Sequence, residues 1–157
     1  MKKSLFISVI LLASVFTTTA QPAGKENSPV MIESESKYGF AATVDSLSKA
    51  AVAGGWKVTI IHDLQETMKK NSKEVLPVKV MEICNPMLAY QILSKDELRD
   101  ASPMLPCRIS VYEKSDGKTY VSRLNMLAFT GLIDAEAART VAQAFHEAEA
   151  FLNKVIK

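Results

Sequence analysis

The chain has 157 residues, with 19 lysines and arginines against 17 aspartates and glutamates, two histidines and two cysteines. A charge balance this even excludes the basic footprint of a nucleic-acid binder or of a protein held to anionic lipid. The length suits one domain with its own core.

The chain opens Met1-Lys2-Lys3, and Leu5 to Phe16 is apolar apart from Ser8 and Ser14. This is the charged start and short apolar stretch of a secretory leader, too short to span a bilayer. Thr18 and Ala20 supply the small residues that a leader peptidase requires, so residues 1–20 are assigned as a signal peptide cut before Gln21. The protein is therefore expected to be periplasmic or secreted, with no transmembrane segment in the mature chain. Loss of Lys2 and Lys3 leaves seventeen basic and seventeen acidic residues. Residues 21–28 are polar, with Pro22 and Gly24, and read as a flexible segment ahead of a single α+β domain over 29–157.

Val30 to Ser36 alternates as a first strand. Phe40, Val44, Leu47 and Ala51 then recur at helical spacing, and Gly54-Gly55 stops the pattern. Trp56 to His62 is a β-branched run that predicts the second strand. Asp63 can cap a short helical segment through Lys70, and Val78 to Cys84 is the third strand. Asn85-Pro86 ends it and starts a short helix over Met87 to Leu93, since Asn caps helices and Pro suits the first helical position. Ser94-Lys95-Asp96-Glu97 has the spacing of a capping box for a further helical turn or two, after which Pro103 and Pro106 are expected to forbid regular structure up to Cys107. Cys107 to Leu124 holds two strands joined by Ser115-Asp116-Gly117-Lys118, which carries the Asp-Gly hairpin signal. Asp134 caps a long final helix whose apolar stripe is Ala138, Val141, Ala142, Phe145, Ala148, Leu152 and Val155. The predicted order is β-α-β-β-β-β-α.

Several short motifs recur together between Tyr38 and Asn125: Gly55-Trp56, His62-Asp63-Leu64, Val78-Lys79-Val80, Cys84-Asn85-Pro86, Pro106-Cys107-Arg108, Val111-Tyr112-Glu113, Asp116-Gly117-Lys118 and Arg123-Leu124-Asn125. In these the chain resembles the bacterial family named domain of unknown function 302. The resemblance implies a curved antiparallel sheet backed by two helices, with a layout similar to that of the TATA-binding protein. It implies no activity and no cofactor, and the layout implies nothing about DNA, because function resides in sites rather than folds.

Cys84 ends the third strand and Cys107 begins the fourth, so an antiparallel pairing is expected to bring the two thiols together. In an oxidising compartment such a pair reads first as a disulfide, with Cα atoms within about 7 Å. Closing the intervening loop would stabilise the fold by about 3 kcal/mol. Alternation complicates this, since Cys84 is opposite in parity to Met81 and Ile83 while Cys107 shares its face with Ile109 and Val111. The Asn85-Pro86 turn and the Pro106 entry can twist either side chain, so parity at the strand ends is expected to carry little weight. The sharper alternative uses Met87 and Met104 with the two cysteines as soft ligands for Cu(I) or as a redox site. Two buried thiols are the third reading. No Cys-x-x-Cys, Ser-His-Asp order, phosphate loop or carboxylate pair is present to mark an enzyme.

His62 beside Asp63 is a candidate general base or, more simply, a turn cap at a sheet edge. His146, with Glu149 one turn on, is assigned to a solvated helix flank. Arg108, Arg123 and Asn125 are candidates to line one sheet face. Three functions follow. A binding module for a small ligand or protein partner would need a cavity of roughly 300 Å³ or more. A thiol-dependent redox or copper protein would need Cys84 and Cys107 together. A structural domain would pair into a homodimer, for which exposed strand edges give the means.

Overall fold

The structure, a computed structural model, describes residues 29–157, so the signal peptide expected over 1–20 and the polar segment over 21–28 lie outside it. One antiparallel sheet of five strands carries the domain: β1 (Met31–Glu35), β2 (Lys57–Asp63), β3 (Val78–Cys84), β4 (Cys107–Glu113) and β5 (Thr119–Leu124), in spatial order β1-β5-β4-β3-β2. Between them run α1 (Phe40–Ala53), α2 (Leu64–Lys70), α3 (Pro86–Leu93) and the final α4 (Ala135–Leu152). The predicted α+β order is the observed one.

Local chemistry accounts for most of the boundaries. Gly55 adopts φ +82°, the left-handed turn that ends α1 and delivers Trp56 to the core. Asp63 accepts the Glu66 N–H at 2.8 Å and so starts α2. Asn85 accepts the Met87 N–H at 3.0 Å, with Pro86 in the first helical position of α3. Asp134 accepts the Glu136 N–H at 2.7 Å to start α4. In the β4–β5 hairpin Gly117 takes φ +74°, and Asp116 accepts the Lys118 N–H at 2.9 Å.

Two local expectations fail between α3 and β4. The turn or two of helix expected after Ser94 is a 3₁₀ helix over Asp96–Met104, and it runs straight through Pro103, where irregular chain was expected. Its cap position is Lys95 and no side chain caps it, so Ser94 and Glu97 form no capping box. Leu105 N–H donates to the Ser102 carbonyl, so Pro103 opens the final 3₁₀ turn, where its missing N–H is accommodated, and burial of Leu98 and Ala101 holds the segment against α3 and α4.

The sheet is two-faced. Met81 and Ile83, Ile109 and Val111, and Val121 point to the helix side and are buried. There they meet Val44, Leu47 and Ala51 of α1 and Ala144, Ala148, Phe151 and Leu152 of α4. Register puts Glu82, Arg108, Tyr112 and Tyr120 on the other side. On that side Tyr112 and Tyr120 stack at 6.1 Å, and Glu33 accepts hydrogen bonds from Tyr112 and Lys114. A second apolar cluster of Ile92, Leu98, Ala101, Met126, Ala137 and Val141 forms beside the main core. Both sheet edges carry features that oppose strand addition: β1 has five residues, and β2 begins with a lysine and shifts register between Val58 and Ile60. Among the described residues no helix is long and apolar enough to cross a membrane.

Candidate functional site

The two apolar clusters do not merge, and the gap between them is a pocket of about 230 Å³. Its sheet wall is Ile83, Cys107 and Ile109. Met104 and Leu105, at the end of the 3₁₀ helix, close one side, and Phe129, which ends a short 3₁₀ turn over Met126–Phe129, closes the other with Leu132 and Ile133 of the loop before α4. Phe145, Ala148 and Leu152 of α4 form the roof at helical spacing, and the small side chain of Ala148 leaves the space open. The volume falls below the roughly 300 Å³ that a binding module was expected to need, so that expectation is not met for a drug-sized ligand. A larger organic ligand is excluded and a smaller one fits. For scale, an apolar cavity of about 150 Å³ holds benzene.

One polar feature lines this apolar space. Arg123 on β5 shares the inward parity of Val121, and its side chain is 7 % exposed. Its Nε donates to Glu149 Oε1 and its Nη2 to Glu149 Oε2, both at 2.7 Å, while Nη1 donates to Ser34 Oγ at 2.9 Å. The two-point contact with Glu149 is the planar geometry that suits guanidinium to carboxylate. Glu149, expected on a solvated flank, is thus a wall of the pocket, while His146 is exposed as expected.

The cysteine pair is not formed. Cys107 stands opposite Ile83 in the β3–β4 register, which places it on the helix side, whereas Cys84 is one residue further along and faces the other side of the sheet. The expected disulfide is overturned: strand parity, which the flanking prolines do not override, decides the outcome, and both thiols are free. Burial pushes the Cys107 thiol up to about 11 and also raises that of Cys84, the reverse of the activation that a reactive thiol needs. Met104 lies on the pocket wall with Cys107, but Met87 is 74 % exposed at the start of α3 and does not join them. Among the described residues no three of His, Cys, Asp or Glu gather to hold a metal ion.

Raised thiol pKa values set a pH dependence. The neutral Cys107 thiol is favoured in the folded state, so its contribution is complete below the unfolded thiol value near 9 and is lost as pH climbs toward about 11. Urea midpoints are expected to fall across that window, and Cys107→Ala is expected to flatten the fall. A reducing agent is expected to leave the midpoint at neutral pH unchanged; a drop would restore the disulfide.

The remaining candidates separate. His62 lies on the open side of the sheet with Nε2 3.2 Å from Glu82 Oε1, and Arg108 Nε donates to the same oxygen at 3.2 Å. Asp63 caps α2 and lies 3.3 Å from Lys79. Its carboxyl is held below the usual value, first by the Glu66 N–H. Arg108, Arg123 and Asn125 do not share a face: Arg108 is exposed on the open side, Arg123 is buried under α4, and Asn125 is buried past the end of β5. Consecutive parity separates the two arginines, since they are not an even number of residue pairs apart across the β4–β5 register, where Arg123 faces Ile109. Asn125 Oδ1 has no hydrogen-bond partner.

The family described as Domain of unknown function DUF302 matches residues 32–157. A crystal structure of an uncharacterized conserved DUF302 protein from Bacillus stearothermophilus superposes with a TM-score of 0.71 at 20 % identity, covering 80 % of this chain and 98 % of that one. At that identity the likeness is one of fold. No curated protein matches the sequence.

Proposed function

The chain belongs to the DUF302 family, and from the pocket between its two apolar clusters we propose that it is a binding module for a small, mostly apolar ligand. The leader read in residues 1–20 assigns that binding to the periplasm or the medium. The observation that carries the reading is a pre-formed apolar pocket of about 230 Å³ with one buried ion pair in its wall. A few polar groups in a concave apolar site is the usual anatomy of small-molecule recognition. By comparison with the benzene-sized cavity, the space takes about nine non-hydrogen atoms. A half-buried thiol with a raised pKa and an exposed Met87 give the thiol or copper reading no comparable support.

Titration with toluene, followed by amide NMR shifts, tests this. Saturable shifts are expected at Cys107, Ile109, Phe145 and Ala148, and Ala148→Leu, which fills the space, is expected to abolish them while the circular dichroism spectrum is kept. Shifts confined to the exposed Met87, Tyr90 and Leu93 of α3, or shifts that do not saturate, would show that the pocket is only a packing gap.

A further inference from the structure

We propose that the pocket selects an uncharged ligand with a single hydrogen-bonding group, an alcohol, ketone or amide on a small apolar body, and rejects carboxylates. This rests on the reading of the pocket as a ligand site. The charge inventory of the lining carries the argument. Arg123, Glu149 and Arg108 are the charged residues among the pocket's lining residues.

Arg123 and Glu149 cancel one another through two hydrogen bonds at 2.7 Å, with side chains 7 % and 21 % exposed. Arg108 puts no charge inside: its side chain is 66 % exposed on the open side of the sheet, where its Nε donates to Glu82 at 3.2 Å. The interior is therefore neutral in sum. A carboxylate entering it would leave water, meet no unpaired cation, and be repelled by Glu149.

The pair is still polar. A guanidinium has five N–H donors. Three of those of Arg123 are engaged, by the two Glu149 oxygens and by Ser34 Oγ. A neutral acceptor can use a remaining N–H, and a hydroxyl can also donate to a Glu149 oxygen, without disturbing the ion pair. An apolar molecule of the same shape would leave those groups without a partner, which makes the polar end the source of selectivity.

The test is a matched series on one phenyl body: toluene, benzyl alcohol, acetophenone and benzoate, titrated into the whole protein by NMR at neutral pH. Benzyl alcohol and acetophenone are expected to bind about fivefold or more tightly than toluene, from one net hydrogen bond, and benzoate at least about tenfold more weakly than either, from its uncompensated charge. Glu149→Gln, which removes the counter-charge from Arg123, is expected to reverse the order in favour of benzoate. If toluene binds as well as the alcohol and ketone, or if benzoate binds best to the unaltered protein, the selectivity is wrong while the pocket stands. If none of the four binds, both the selectivity and the pocket reading fall. The series on the unaltered protein decides these outcomes even where Glu149→Gln does not fold.

Discussion

Replacing Arg123 with methionine is expected to cost about 3–5 kcal/mol in urea unfolding at neutral pH, a large share of the 5–15 kcal/mol typical of a domain. The substitution keeps an apolar stem of similar length but leaves Glu149 largely buried with neither its two 2.7 Å donors nor a counter-charge. The cost belongs to the orphaned carboxylate rather than to the net worth of the pair, because two charges withdrawn from water recover little more than their desolvation. The double variant Arg123→Met with Glu149→Leu is therefore expected to lie much closer to the unaltered protein than the single variant does. If the double variant is as unstable as Arg123→Met alone, the contact with Ser34 or the packing of the arginine stem carries the stability instead.

Trp56→Ala is expected to cost a comparable amount, about 3–5 kcal/mol, by opening a cavity under α1 and α4. Trp56 is the single tryptophan, 2 % exposed, and meets Phe151 edge to face at 5.9 Å and 70°. An aromatic pair of this kind adds about 0.5–1.5 kcal/mol beyond the area it buries. Trp56→Phe is accordingly expected to retain most of the stability, since a smaller ring still packs against Phe151 and the core. Thermal unfolding followed by circular dichroism measures both. An alanine variant within about 1 kcal/mol of the unaltered protein would mean that the surrounding side chains collapse into the space.

Elements of this protein that depend on a few neighbouring residues were legible in its sequence. β3 spans Val78 to Cys84 as the alternating run implies. α2, α3 and α4 begin after Asp63, Asn85 and Asp134 because each side chain reaches an N–H two or three residues on. The β4–β5 hairpin turns at Asp116-Gly117 because glycine accepts the positive φ. Only the start of the 3₁₀ helix at Asp96–Met104 was legible, as the helical turn expected after Ser94; its run through Pro103 was not, since burial against α3 and α4 holds it rather than a cap.

The candidate site belongs to longer distances. Its signals were present: Arg123 falls two residues after the buried Val121, hence inward, and Glu149 falls one turn after Phe145 beside the α4 stripe. Each alone reads as an ordinary charged residue at an element's flank. Only the packing of α4 across β5 brings them within 2.7 Å, and low polarity around them is what makes the contact matter. The cysteines show the same division: chain order made Cys84 and Cys107 neighbours, whereas the Ile83–Cys107 register turned their thiols to opposite faces of the sheet. The sequence by itself determined the elements and their caps, through interactions spanning a few residues. The tertiary structure decided the pocket, the ion pair in its wall and the fate of the thiols, because each depends on which side of one sheet a residue faces and on what the folded chain carries across to it.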